Sequence, residues 1–462
     1  MKSLLVALFT AVSAETILGS FVFVRHGDRL KKPTTYLTPL GVSEEQDAGT
    51  YFHNRYFNTY PINGLDEVYK SNQVSVMAAD SDVLSKSSQA FVQGLYPPVG
   101  SRDASEVPGA SLANGTTDET PFNGYQYVYV EGVNIDGPEY WTIDGNTNCP
   151  AYTNASAKYY ESDEFKALNQ STLDFYQSLS KYTAGSLPNS KLNYGNAYTV
   201  FDFFEVNYYH NETFYNIIKN DMAVFNQVRY YQDEYSKSFS YNASNSIVMV
   251  GGASILNTAG SFIKSITNTS SPERLSVIFG SYDSFYSMFG LFGWMNLDES
   301  KFTGLVDYAS ALAIELITDD SNNQYVRAGI RNGTNVTQDS PELEFFPVFG
   351  NNETTVPVDQ FLKGISNVAI ANISDWCTIC SGTIDTCAKL TLTSKVADLE
   401  KDNKSSSNLS LADAGGIGAG VTIGVFLILG ALGYMLYRIL GPKPRNERLK
   451  DMELASSNST VV

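Results

Sequence analysis

The chain has 462 residues, of which 43% are hydrophobic, so it can bury one large core that carries an inserted segment. Its formal net charge of −18 at pH 7 argues against a nucleic acid as partner, because a polyanion would be repelled. Simple solubility also accounts for this charge, and a pocket for an anion would have to be locally positive.

The first 14 residues have the pattern of a secretory signal peptide. Lys2 precedes a short apolar run, and Val12, Ser13 and Ala14 give the small residues of a cleavage site. The apolar run is too short to span a bilayer. We therefore predict that residues 1–14 direct the chain into the secretory pathway.

The residues that follow carry many acceptor sites for N-linked glycans. Single sequons are common by chance, but their density behind a signal peptide predicts glycans on exposed loops. The predicted sites are Asn114, Asn154, Asn169, Asn211, Asn242, Asn268, Asn332, Asn335, Asn352, Asn372, Asn403 and Asn408.

The most informative segment follows directly. Residues 17–24 read ILGSFVFV, an apolar run of the length of a buried strand, and residues 25–29 read Arg-His-Gly-Asp-Arg. Such a strand presents Arg25, His26 and Arg29 at the carboxyl edge of an α/β sheet, where ligands bind. Arginine donates two parallel hydrogen bonds to phosphate, and a neutral imidazole can attack phosphorus. The alternative is an ordinary strand end at the surface.

Several further segments extend this pattern in the same order along the chain. RHGDRLKKP followed by YLTPLG at residues 36–41 resembles the nucleophile segment of the histidine acid phosphatases, the branch of the histidine phosphatase superfamily that includes the phytases. The stretches AADSDVLSKSSQAFVQGLYPP, NSIVMVGGASILNTAG and LSVIFGSYDSFYSMFGLFG resemble later segments of that family. The resemblance covers roughly residues 17–390. It implies an α/β fold with a phosphoglycerate-mutase-like sheet, flanking helices and an inserted, mainly helical cap.

The resemblance also implies roles for individual residues. His26 is the position of the nucleophile, Arg25 and Arg29 hold phosphoryl oxygens, and Asp283 donates a proton to the leaving group. No metal and no organic cofactor are implied. The ligand is a small phosphate ester or another anion.

Two pocket positions depart from the family pattern. Val83 stands where the family has a third arginine, and Tyr282 stands where it has a second histidine. Lys86, three residues after Val83, is a candidate to replace the lost charge if the segment is helical, although a solvated lysine is the simpler interpretation.

A cap is predicted at roughly residues 100–240, where the sequence has apolar residues near helical spacing. Its clustered aromatic residues are expected to pack a core rather than to bind substrate. The remaining histidines, His53 and His210, lie outside the matching segments and are interpreted as structural or exposed.

The four cysteines, Cys149, Cys377, Cys380 and Cys387, predict two disulfides in an oxidising compartment. Three pairings are possible, and the sequence does not choose among them. The spacing of Cys377 and Cys380 also occurs in zinc sites, but no histidine nearby completes one, so no metal is predicted.

The carboxyl end has the pattern of a membrane anchor. Residues 396–413 are polar and serine-rich and predict a flexible stalk, and the uncharged residues 414–437 are long enough to span a bilayer. Basic residues follow, which places residues 438–462 in the cytosol as the tail of a type I membrane protein. Gly416, Gly420 and Gly424 form GxxxG steps that pack helix dimers, unless they reflect composition alone.

Two functions from different classes follow for an ectodomain spanning residues 15–395. The first is weak hydrolysis of phosphate monoesters through a phosphohistidine. The second is a catalytically silent, membrane-anchored glycoprotein that keeps the pocket for binding. The cell surface and an acidic organelle both remain open as the final location.

Overall fold

The computed structural model describes residues 15–32, 35–101, 107, 109–183, 185–267, 271–297, 299–336 and 341–406. The chain divides into two compact units, Met1–Leu390 and Thr391–Val462. The predicted signal peptide (1–14), membrane span (414–437) and cytosolic tail (438–462) lie outside the described residues, as do the sequons at Asn268 and Asn408. Within the described residues, one helical stretch, Ser246–Ile266, is long and apolar enough to cross a membrane, and most of it is buried inside the protein.

The first unit is built on a mixed sheet. The order of its strands is β3-β2-β4-β1-β5-β6-β7, and β8 also pairs with β6. The strands are β1 (Thr16–Arg25), β2 (Val74–Ala79), β3 (Glu131–Val133), β4 (Leu275–Gly280), β5 (Ala311–Thr318), β6 (Gln324–Arg331), β7 (Glu344–Phe346) and β8 (Thr355–Pro357). The predicted α/β class with a central sheet flanked by helices is confirmed.

Strand β1 lies at the centre of this sheet, parallel to β4 on one side and antiparallel to β5 on the other. Its alternate residues face two different cores: Phe21 and Phe23 belong to one, and Val22 and Val24 to the other. A strand that is buried on both faces needs a continuous apolar run, which explains the sequence of β1. Because β1, β2 and β4 are parallel, their carboxyl ends share one edge of the sheet.

Helices cover both faces of the sheet and form most of the cap. They are α1 (Pro39–His53), α2 (Asp82–Leu95), α3 (Pro121–Gly124), α4 (Pro150–Tyr159), α5 (Asp163–Ser171), α6 (Leu173–Ser178), α7 (Ser180–Thr183), α8 (Ala197–His210), α9 (Glu212–Ile218), α10 (Met222–Ser240), α11 (Val250–Ile266), α12 (Tyr282–Phe292), α13 (Glu299–Phe302), α14 (Val358–Val368), α15 (Ile373–Cys380) and α16 (Asp385–Ser406). Helices α1 and α2 contribute to one core, whereas α11, α12 and α14 contribute to the other.

Helices α1 and α2 approach each other at backbone contact. A Cβ atom at Gly49 would lie 1.9 Å from the carbonyl oxygen of Phe91, and one at Gly94 would lie 2.1 Å from that of Gln46. Both distances are far below van der Waals contact, so only glycine fits at Gly49 and Gly94.

The cap region has its own hydrophobic cluster, which extends from Phe165 to Val228 and includes Leu305. Phe201, Phe203 and Phe204 are buried in it, as expected for aromatic residues that pack a core. The region is not wholly helical, because β3 lies inside the predicted range and joins the main sheet beside β2.

The predicted stalk differs from the structure over part of its length. Helix α16 continues to Ser406, so residues 396–406 are helical rather than irregular. Polar side chains do not prevent a helix when glycine and proline are absent, and residues 396–406 contain neither.

The cysteines form two disulfides, Cys149–Cys380 and Cys377–Cys387. The sequence predicted two bonds and left their pairing open. The first bond ties the start of α4 in the cap region to the end of α15, across 231 residues of sequence.

Candidate active site

The site lies at the carboxyl edge of β1, β2 and β4, and the cap covers it. A cavity of about 520 Å³ opens there. Its wall is formed by His26, Arg29, Lys32, Thr35, Ser81, Val83, Leu84, Asp144, Tyr152, Tyr160, Tyr198, Tyr235, Ser236, Phe239, Ser240, Ser281, Tyr282 and Asp283.

The loop after β1, residues 26–29, is held by helices on two sides. The Gly27 backbone N–H donates to Ser87 Oγ on α2 at 3.1 Å, and the Asp28 N–H donates to Glu44 Oε2 on α1 at 2.8 Å. A Cβ atom at Gly27 would lie 2.5 Å from the Gly41 carbonyl oxygen. Glycine at position 27 therefore permits close approach to α1, and these contacts hold the loop in place without a ligand.

His26 is held as a neutral imidazole. Burial, assisted by the charges of Arg25 and Arg29, lowers its pKa to about 3. Its Nδ1 lies 2.8 Å from the Gly27 carbonyl oxygen, which can only accept, so Nδ1 carries the proton. The lone pair then resides on Nε2, as a nucleophile requires.

Arg29 lines the cavity beside His26 and is bound by the cap. Its Nη1 forms an ion pair with Asp202 Oδ1 at 2.8 Å, and its Nη2 donates to Tyr198 Oη at 3.0 Å. Both acceptors lie on α8. The predicted anion-binding arginine thus has an acidic partner that sequence analysis did not identify.

Arg25 packs against aromatic rings at the end of β1. Its guanidinium donates to the Val306 carbonyl oxygen and lies 4.1 Å from the centroid of the Tyr308 ring and 5.4 Å from that of Tyr282. It is 2% exposed, and it is absent from the cavity wall formed by the described residues. The structure therefore places His26 and Arg29 on the cavity wall, whereas Arg25 packs against the rings of Tyr308 and Tyr282.

Asp283, in the first turn of α12, is one of the two carboxyl groups on the cavity wall, beside Asp144. Burial, with a smaller contribution from the charge of Asp144, raises its pKa to about 6. Its Oδ2 accepts a hydrogen bond from Asn146 Nδ2 at 3.0 Å. A carboxyl group with this pKa keeps its proton in mildly acidic solution and can serve there as a general acid.

The two replaced positions, Val83 and Tyr282, both line the cavity. Val83 brings an apolar side chain to the start of α2, and Tyr282 brings a hydroxyl group whose pKa is raised by burial. Lys86, the candidate for the missing charge, pairs with Asp82 at 2.7 Å, and half of its side chain is exposed. Lys86 is not part of the cavity wall described above, whereas Lys32 is.

Asp202 and the tyrosines of the wall other than Tyr282 were missed at the sequence level. Tyr198 and Asp202 lie four residues apart on α8, a spacing that puts both on one helix face. That spacing is the only signal the sequence offers, because the partner of this face lies about 170 residues away in the chain.

Of the two remaining histidines, His210 helps to hold the loop that carries His26. Its Nε2 lies 2.6 Å from Asp28 Oδ2, so the end of α8 is tied to the nucleophile loop. His53 bonds through Nδ1 to the Leu95 carbonyl oxygen at 3.0 Å, which is a structural contact. The described sequons are exposed, except that Asn169 is half-buried and the side chain of Asn403 is not described.

A neutral histidine at the carboxyl edge of parallel strands, sharing one cavity with an arginine and a carboxyl group of raised pKa, defines an α/β protein of histidine phosphatase type. The family model described as histidine phosphatase superfamily (branch 2) matches residues 21–330, and the chain belongs to this family. Membership supports a phosphatase function.

Individual relatives are distant. Prostatic acid phosphatase from Bos taurus is 28% identical over 147 residues, which cover 32% of this chain and 33% of that protein. The chain thus matches about a third of the length of its curated relatives. The Hafnia alvei phytase structure with tartrate has a TM-score of 0.55 at 13% identity, and the Klebsiella sp. ASR1 phytase has 0.56 at 12%. Each alignment covers 78% of this chain and 98% of the phytase.

Proposed function

We propose that this protein is a membrane-anchored histidine acid phosphatase that hydrolyses phosphate monoesters slowly through a phosphohistidine. The observation that carries the proposal is the neutral His26, with a free Nε2, on the same cavity wall as Arg29 and the raised-pKa carboxyl group of Asp283. These three groups supply a nucleophile, a cationic ligand for phosphate and a proton donor.

The reaction proceeds in two displacements. His26 Nε2 attacks phosphorus as the ester P–O bond breaks, and the proton of Asp283 passes to the departing alkoxide. The Asp283 carboxylate then takes a proton from water, whose oxygen attacks the phosphohistidine. Phosphate leaves, and both His26 and the protonated Asp283 are restored. No cofactor enters either step.

The low rate follows from the replaced positions. Loss of one preorganised donor to a developing oxyanion costs about 10² to 10³ in rate. Two independent losses, at Val83 and Tyr282, lower the rate by on the order of 10⁴ to 10⁶, although groups that act as a unit lose less than the product.

A second candidate is a catalytically silent protein that binds an anionic ligand. It is favoured by the contacts of the arginines, because Arg25 packs against two aromatic rings instead of lining the cavity, and Arg29 is paired with Asp202. In this case the cavity would bind a ligand without cleaving it.

One experiment separates the two. The full chain, purified in detergent from a secretory host, is assayed for hydrolysis of small phosphate esters between pH 3 and pH 8, beside His26→Ala. Turnover that disappears in His26→Ala supports the enzyme. Absence of turnover in the wild-type chain, restored by Val83→Arg with Tyr282→His, supports the silent protein.

We also propose type I topology, with the ectodomain glycosylated and lumenal or extracellular and the helix of residues 414–437 in the bilayer. It rests on the sequence patterns given above. A mobility shift after endoglycosidase treatment, together with protease sensitivity of the tail from the cytosolic side alone, checks it. The GxxxG steps extend the proposal to a homodimer, which crosslinking tests.

A further inference from the structure

Helix α8 presents an acidic and hydroxylic face to the site. Tyr198, Asp202 and Glu205 are spaced by four and three residues, which places them on one side of the helix. The first two contact Arg29, as described above, and Glu205 Oε2 accepts a hydrogen bond from Tyr308 Oη at 3.2 Å. The arginine beside the nucleophile is therefore held by the cap and not by the sheet alone.

The pair between Arg29 and Asp202 is buried, with side-chain exposures of 7% and 10%. Water and salt therefore screen it weakly. The guanidinium has five N–H donors, and three are engaged, by Asp202, by Tyr198 and by the Leu30 carbonyl oxygen at 3.1 Å. A ligand at His26 must use the remaining donors in the presence of a fixed carboxylate.

We propose that Asp202 determines the charge of the ligand that the site accepts. Its carboxylate is a resident anion on Arg29, so an incoming anion shares that arginine with it. When the ligand carries two negative charges instead of one, its repulsion by Asp202 and its attraction to Arg29 both double, so the pair gives a dianion little extra stabilisation. The site therefore discriminates against dianions and favours monoanionic phosphate esters, which predominate below a pH of about 6.

The other charges on the cavity wall agree with this selectivity. Lys32 and Arg29 are the cations of the described wall, and Asp144 and Asp283 are its carboxyl groups. The buried Arg25, which packs against Tyr282 of the wall, contributes further positive charge near His26. With Asp202 adjoining Arg29, the cavity holds too little excess positive charge to stabilise a dianion strongly.

Two sulfur oxyanions test the proposal without turnover. Sulfate is a dianion and methanesulfonate a monoanion over the whole range from weakly acidic to neutral solution, and both are tetrahedral. Calorimetric titration of the full chain in detergent measures their affinities. We expect the wild-type chain to bind methanesulfonate at least as tightly as sulfate. Asp202→Asn, which keeps the shape of the side chain, should raise the affinity for sulfate about tenfold or more and that for methanesulfonate about threefold.

Tyr198→Phe is the matched control, because it removes a neutral contact to the same arginine and should change both affinities equally. The proposal is overturned if Asp202→Asn raises the affinities for the two ions equally, lowers both, or changes neither. So does failure of either ion to bind the wild type and the variant. If Asp202→Asn does not fold, the wild-type comparison decides, since a clear preference for sulfate contradicts the proposed selectivity.

The inference rests on the proposed function only in taking His26 and Arg29 as the anion site. If the two ions bind as expected but no ester is hydrolysed, the proposed enzyme is rejected and the role of Asp202 stands. If an ester is hydrolysed but the wild-type chain clearly prefers sulfate, the proposed enzyme stands and the role of Asp202 is rejected.

Discussion

The ionisation of two residues sets the pH range in which the proposed chemistry can run. His26 has a pKa lowered to about 3, so its imidazole is a neutral nucleophile above that pH. Asp283 has a pKa raised to about 6, so it remains a proton donor below that pH. Both groups are in their active forms between these two values, which is the range of an acid phosphatase.

We therefore predict that kcat/KM, which reports the free enzyme and the phosphorylation step, falls as the pH rises through about 6, because Asp283 loses its proton there. Asp283→Asn should lower kcat/KM by about 10² to 10⁴ and remove this decline. Steady-state kinetics with two substrates check the assignment. The loss should be smaller for p-nitrophenyl phosphate, whose leaving group needs no proton, than for glycerol phosphate. Equal losses for both substrates would count against a general-acid role.

At the residue level, sequence reasoning located the groups proposed to carry the chemistry, but most of the other residues of the cavity wall were not identified. It placed His26, Arg29 and Asp283 at one site and identified Val83 and Tyr282 as the changed positions, and all five residues line the cavity. It did not predict that Arg25 turns away towards Tyr308 or that Asp202 pairs with Arg29. Those contacts depend on side-chain rotamers and on segments far apart in sequence, neither of which a motif encodes.

At the level of elements, the first turns of α1 hold the nucleophile loop through a buried acid. Glu44 is 1% exposed and accepts the Asp28 N–H, and burial raises its pKa to about 8. The unfolded chain ionises this group near its ordinary value of 4.5, whereas the folded chain keeps it protonated. Unfolding therefore releases a proton between these two values, and the stability contributed by Glu44 falls as the pH rises through this window.

Glu44→Gln should remove this penalty, because an amide keeps the acceptor oxygen and cannot ionise. We expect the variant to gain about 2–4 kcal/mol in free energy of unfolding over wild type at pH 8 and almost nothing at pH 4. Urea unfolding at both values measures the difference. Exposed Glu161→Gln is the control and should change neither. A gain of the same size at pH 4 would show that the effect is not one of ionisation.

The elements themselves were predicted to different degrees. Strand β1 was visible because burial on both faces imposes an unbroken apolar run. The contribution of β3 to the sheet could not be predicted, because a strand of three residues is too short to show an alternation of apolar and polar residues. Helix α16 was missed because its sequence lacks an amphipathic pattern, which is the signal that sequence reasoning uses for helices.

At the scale of the whole molecule, the two disulfides differ in what they join. Cys149–Cys380 closes a span of 231 residues between the cap region and α15, whereas Cys377–Cys387 closes a span of 10. A longer loop loses more conformational entropy in the unfolded chain when it is closed.

Replacing both cysteines of a pair by serine should therefore have unequal effects. We expect the Cys149/Cys380 pair to cost about 3–5 kcal/mol in free energy of unfolding, and the Cys377/Cys387 pair about 1–2 kcal/mol less than that. Denaturant unfolding under non-reducing conditions compares the two double variants with wild type. If replacing the Cys377/Cys387 pair costs more free energy of unfolding than replacing the Cys149/Cys380 pair, then contacts in the native state, and not loop closure in the unfolded chain, determine the effect.

The contact between Gly49 and Gly94 limits how this site can be altered. It fixes the helix that follows the histidine loop against the helix that carries Val83, with no side chain between them to yield. A larger group introduced at position 83 must therefore be accommodated mainly by its own rotamer, because this close backbone packing opposes a shift of one helix along the other. An arginine at position 83 would thus reach a phosphate at His26 through its choice of rotamer and not through movement of α2.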